Sequence, residues 1–116
     1  MRKFTVASSS RRRFFRTRGA SLPPGFCFFI SLNPTGNSGL ATGGTGDVLS
    51  GVVGAFLAQH LAPFDAALAA TWIHGRAAED LAAAGAGPAG LTAGELAPSM
   101  RSLLNRLLAR RGGNLA

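Results

Sequence analysis

Hydrophobic positions settle into a helical period only after residue 47. Val48, Val52 and Phe56 recur at i, i+4 and i+8, and Leu49, Val53 and Leu57 form the adjacent ridge, which predicts a helix from Asp47 to about His60. Its other side is small, built of Ser50, Gly51, Gly54, Ala55 and Ala58, and a helix with one bulky and one small face suits burial between two neighbours. Pro63 fits a first helical position and Asp65 a first turn, so a second helix should continue through residues 66–84 and stop at Gly85 or Gly87. The T-x-x-E spacing of Thr92 and Glu95 predicts a capping box and a short turn of helix before Pro98. Beyond the proline, Met100, Leu103, Leu104, Leu107 and Leu108 stripe a last amphipathic helix whose arginines, Arg101, Arg106, Arg110 and Arg111, are mostly solvated.

The stretch before residue 33 has another character. It holds six of the eight phenylalanines, seven basic residues, a run of serines and no acid. All of the formal charge of +7 is located there, because from Asn33 onward five arginines balance five acids. An Arg- and Ser-rich, acid-free start has the composition of a mitochondrial transit peptide. Arg11-Arg12-Arg13 beside Phe14 and Phe15 would suit charge and stacking contacts to nucleic acid. The favoured reading of residues 1–32 is a basic, poorly ordered extension, one origin of which is translation from a wrong start or a shifted frame, since no nucleic-acid module accompanies the charge. Within it, residues 26–32 (FCFFISL) lie between Pro-Pro-Gly and Asn-Pro and predict one short buried strand. Cys27 on that strand is read as core.

With 116 residues the chain is sized for one domain. Its single cysteine excludes an intramolecular disulfide or a Cys-rich zinc site. The longest apolar stretch, residues 48–58, is interrupted by Ser50, Gly51 and Gly54 and falls short of the roughly 20 residues that span a bilayer, so no transmembrane helix is predicted. Free-thiol usage and the lack of a secretory signal favour the cytoplasm, with the mitochondrion as the minority case.

The chemistry concentrates between Asn33 and Asp47. Gly36, Gly39, Gly43, Gly44 and Gly46 deny that stretch regular structure and let backbone approach a ligand closely. Thr42-Gly43-Gly44-Thr45-Gly46-Asp47 then opens a helix, which gathers unpaired N–H groups and the positive end of the helix dipole at one point, an anion site suited to phosphate. No lysine follows the glycines as in a Walker A loop, and no acidic partner completes a dinucleotide fingerprint. Asp47 would repel a phosphate unless it takes the proton of the attacking hydroxyl; a helix-capping aspartate is the other reading of a bare G-x-G-D.

The longer string, N-P-T-G-N at residues 33–37 followed by G-L-A-T-G-G-T-G-D-V-L-S-G at residues 39–51, closely resembles the signature of the NAD(P)H-hydrate dehydratases, ribokinase-like enzymes that repair hydrated nicotinamide cofactors at the expense of ADP or ATP. The likeness continues through Pro63-Phe64, I-H-G-R-A-A-E-D-L-A at residues 73–82 and G-L-T-A-G-E-L at residues 90–96. It covers about residues 33–110. The resemblance implies an α/β, ribokinase-like fold, of which this chain holds the C-terminal, mostly helical part with about one strand, residues 33–116 being the matching region. It implies Asp47 as the general base at the hydrated nicotinamide, contacting that substrate, and Gly43, Gly44, Thr45 and Gly46 as the anion hole, with Gly46 at the adenine nucleotide. Asn33, Thr35 and Asn37 are carried as nucleotide-side or loop-shaping residues. ADP or ATP would be the phosphoryl donor, NAD(P)H hydrate the substrate, and Mg2+ would ride on the nucleotide phosphates, with no metal ligand among the residues themselves. The part before residue 33 does not match, and the family's upstream lysine-glycine segment and most of its sheet find no counterpart. The chain alone is therefore expected to have little or no activity, and its apolar helix faces to favour a partner, a homo-oligomer included. Two other readings are a ribokinase-like kinase of a small vitamin alcohol and a non-catalytic basic binding protein working through residues 1–18. His74 is read as a packing or hydrogen-bonding residue and Trp72 as core.

Overall fold

A computed structural model describes residues 31–113. The chain divides into the units Met1–Pro34 and Thr35–Ala116, and the second holds every described helix. A short 3-10 turn, Ser38–Ala41, leads into three helices, α1 (Thr45–Ala58), α2 (Pro63–Ala83) and α3 (Ala93–Gly113). The described residues contain no strand. The strand expected at residues 26–32 lies outside the described residues except for Ser31 and Leu32, which belong to no regular element.

Helix α2 is the centre, packed against both α1 and α3. Its contact face is small, with Ala66, Ala70, Gly75, Ala77 and Ala78 buried, so neighbouring backbones come close. Ile73, Ala77 and Ala78 meet Leu91, Leu96, Met100 and Leu103, and Val48, Val52 and Phe56 of α1 pack on that cluster. Of the two predicted ridges, that of Val48, Val52 and Phe56 faces the core, whereas the small side expected to meet a second neighbour, Ser50, Gly51, Gly54, Ala55 and Ala58, is exposed among the described residues. Trp72 is half-buried against the same cluster.

The helix ends follow local chemistry. At the end of α2 the chain turns on Gly85, φ 84°, with Gly85 N–H donating to Ala82 O and Ala86 N–H to Leu81 O, the paired bonds of a Schellman motif. The same pair ends α1, from His60 N–H to Leu57 O and Leu61 N–H to Phe56 O, but there a histidine, φ 64°, takes the left-handed position. Thr92 and Glu95 cap α3: the Glu95 carboxylate accepts from Thr92 N–H at 2.7 Å and from the Thr92 hydroxyl at 2.8 Å. These bonds hold the Glu95 carboxyl below its ordinary pKa, the backbone bond contributing most.

Two expectations need correction. The segment before Pro98 and the amphipathic stripe after it form one helix, with Pro98 as its sixth residue. The proline costs α3 the bond its N–H would have given Gly94 O; Leu96, Met100 and Leu103, all buried on both sides of it, hold the helix to the core. The glycine-rich stretch also carries regular structure. Asn37 caps the 3-10 turn by accepting from Gly39 N–H at 3.0 Å, and α1 begins at Thr45 rather than Asp47.

Candidate functional site

The turn that starts α1 is fastened from beneath and open above. Gly44 supplies the left-handed corner, φ 86°, immediately before the helix, a conformation that suits glycine. Thr45 follows as the one buried residue of α1. Its hydroxyl lies 2.7 Å from Leu40 O and 2.9 Å from Thr42 O, so the side chain ties the helix start back to the 3-10 turn. Underneath, the buried His74 on α2 approaches Thr45 O with Nε2 at 2.9 Å. A carbonyl only accepts, so Nε2 carries the proton.

The residues leading in are anchored to α2. Thr35 donates its hydroxyl to Trp72 O at 3.2 Å, Gly36 N–H donates to Glu79 Oε1 at 3.0 Å, and the Asn37 amide donates to Ala78 O at 2.8 Å. Glu79 also accepts from Arg76 at 3.0 Å. Gly75 permits this approach, since a Cβ there would overlap the Thr35 hydroxyl and stand 2.7 Å from the Thr35 carbonyl carbon. Thr35 and Asn37 are therefore engaged in shaping the loop. Asn33 belongs to the first unit.

Above, the turn is bare. Gly43, Gly44, Gly46 and Asp47 are all exposed, and among the described residues no carbonyl outside α1 accepts from their N–H groups. A Cβ at Gly43 or Gly46 would meet nothing within 4 Å. Packing within the described residues thus gives no reason for glycine at either position. Asp47 is the third residue of α1 and forms no ion pair or side-chain hydrogen bond among the described residues; it does not cap the helix, whose cap position is Gly44 with no side-chain bond. Thr45, by contrast, turns its donors inward, its N–H lying 3.5 Å from Thr42 O. The open donors are those of Gly43, Gly44, Gly46 and Asp47, beside one carboxylate, at the positive end of a 14-residue helix.

The family model for NAD(P)H-hydrate dehydratases matches residues 29–100 of this sequence. The chain belongs to the NAD(P)H-hydrate dehydratase family. It is 50% identical over 78 residues to the ADP-dependent (S)-NAD(P)H-hydrate dehydratase of Neisseria meningitidis serogroup B, covering 67% of this chain and 26% of that protein. It is 49% identical over 76 residues to the bifunctional NAD(P)H-hydrate repair enzyme Nnr of Escherichia coli, covering 66% of this chain and 15% of the relative. The ADP-dependent dehydratase of Bacillus subtilis is 48% identical over 59 residues, 51% of this chain and 20% of its own. The chain thus spans about a quarter or less of these relatives. Membership of the dehydratase family fits a ribokinase-like α/β domain, to which the described residues contribute helices, and does not favour the vitamin-alcohol kinase or the basic binding protein.

The described residues hold no group of three or more His, Cys, Asp or Glu side chains able to grip a metal. No described helix is long and apolar enough to cross a membrane. Two open grooves on α2 and α3, one lined by Trp72, Arg76, Arg106 and Arg110 and the other by Leu81, Glu95, Pro98 and Arg106, include no residue of the turn at 42–47.

Proposed function

We propose that the start of α1 is the phosphoryl-transfer end of a nucleotide-dependent NAD(P)H-hydrate dehydratase, and that this chain acts as part of such a domain. The observation that carries the reading is the conjunction of four open N–H groups and the unpartnered Asp47 carboxylate around the start of α1, with glycines at two positions where the described residues leave a side chain ample room. The N–H groups of Gly43, Gly44 and Gly46 would hold the terminal phosphoryl of ADP, or of ATP, and gain strength as charge develops on its oxygens. Asp47 would take the proton of the hydrate hydroxyl as that oxygen attacks phosphorus. The new P–O bond forms as the bond to the departing nucleotide breaks, releasing AMP from ADP. Phosphate then leaves carbon with its C–O electrons, a neighbouring C–H proton is lost, and the ring double bond returns. Thr45 and its partners keep the turn in place and touch neither reactant.

The test is a graft. Residues 29–113 replace the matching segment of the Neisseria meningitidis relative, and the return of reduced nicotinamide from the S-form hydrate is followed with ADP or ATP. Activity is expected in the graft, and Asp47→Asn should reduce it about a hundred- to ten-thousand-fold, the range of a lost general base. A folded graft without activity, or one indifferent to Asp47→Asn, overturns the reading. The isolated chain is expected to turn over little or no hydrate.

A further inference from the structure

We infer that His74 is a positioning residue that acts on the anion site through a single peptide group. The inference rests on reading the turn at 43–47 as an anion site. The Thr45 carbonyl and the Gly46 N–H belong to the same planar peptide unit. His74 Nε2–H donates to the oxygen of that unit at 2.9 Å from the buried side, while its N–H end is at the exposed Gly46. Thr45 is the first residue of α1, so its carbonyl points along the helix ladder, and the imidazole adds a donor from outside that helix. Withdrawing electron density from a carbonyl oxygen leaves its own N–H more positive, and hydrogen bonds linked through a peptide strengthen one another. The bond also fixes the peptide plane, and so the direction of the Gly46 N–H.

The surroundings make this more than a packing contact. His74 is 6% exposed and lies 29 residues from its acceptor, linking α2 to the first turn of α1. Thr45 holds the other side of the same residue with its hydroxyl. The flanking glycine, Gly75, brings the Thr35 loop onto the next position of α2, so the two adjacent residues of one helix hold both ends of the loop that leads to Asp47. His74 touches no reactant in this arrangement and transmits its effect through Thr45.

Three measurements on the full chain test it. Long-range proton–nitrogen spectra of the unsubstituted protein should show His74 protonated at Nε2; a ring protonated at Nδ1 alone overturns the inference without any substitution. Second, the Gly46 amide proton of the ligand-free chain should move upfield in His74→Phe and return towards its original position in His74→Gln, whose terminal amide can donate from a similar place; a Gly46 signal indifferent to both changes overturns it. Third, binding of inorganic phosphate and of ADP should weaken about fivefold in His74→Phe, the order carried by one neutral hydrogen bond, with recovery in His74→Gln. A merely structural role would lower the melting temperature without selecting Gly46 and without rescue by glutamine. If the unsubstituted chain binds neither ligand at this turn while the ring and Gly46 behave as expected, the anion-site reading fails and the peptide contact stands as structural, which overturns the functional role inferred for His74.

Discussion

Helices α1 and α2 reverse the usual relation between apolar sequence and burial. From Val48 to Ala58 α1 has no charged residue, yet Thr45 is its one buried residue. Helix α2 carries Asp65, Arg76, Glu79 and Asp80 and buries seven residues, five of them alanine or glycine. Burial here follows the number of neighbours. α2 lies between α1 and α3 and needs small side chains to let both approach, whereas α1 meets partners along the Val48, Val52, Phe56 ridge and presents Leu57, 42% exposed, on another side. Its first turn is the exception, pinned by Thr45 and His74, and that is where the exposed glycines and Asp47 stand.

Paired truncations put the contrast under most strain. Leu96→Ala removes a fully buried side chain and should cost about 2–5 kcal/mol, whereas Leu57→Ala on the exposed side of α1 should stay within about 1 kcal/mol. Equal losses in urea unfolding would erase the distinction between the two helices. Next comes Gly75→Ala, whose methyl would meet the Thr35 backbone; about 1–3 kcal/mol is expected from the displaced contact, with faster amide exchange at Gly36 and Gly39. Unchanged exchange there would mean that the loop is not held by α2.

The helix ends give smaller effects. His60→Gly relieves a left-handed histidine at the end of α1 and should stabilise the chain by about 1 kcal/mol, read as a higher melting temperature. Smallest is the contribution of Glu95. Its carboxyl is held below the ordinary value of 4.5 in the folded chain by the Thr92 bonds, so the cap contributes fully above the unfolded pKa and is lost as pH falls through the folded one. Stability measured downward from pH 5 should therefore decline more gently in Glu95→Gln than in the unsubstituted chain; parallel curves would show that the cap does not report through this carboxylate.

The three helices were legible because their apolar residues keep a 3.6-residue period and because Pro63, Gly85 and the Thr92–Glu95 pair punctuate them. Pro98 misled because a local rule, the missing N–H, was outweighed by a core that extends across it. The 3-10 turn escaped notice because glycine density signals irregularity, while the Asn37 cap that organises it acts over two residues. At the site, Asp47 and the glycines were visible as a motif on the chain. The inward turn of Thr45 was not, since its hydroxyl bonds to carbonyls whose positions depend on the folded loop. His74 gave still less warning, its acceptor being a backbone oxygen 29 residues away. The one available signal was the His-Gly dipeptide in the middle of a helix, where a glycine costs stability unless another chain segment must come close.

Whether the start of α1 receives an anion is tested most directly by titrating ADP into the isotopically labelled chain. The amides of Gly43, Gly44, Gly46 and Asp47 should shift together and saturably, and Asp47→Asn should tighten the interaction by removing a repelling charge. Shifts confined to the α2–α3 groove around Trp72, Arg76, Arg106 and Arg110, with those four amides unmoved, would contradict it.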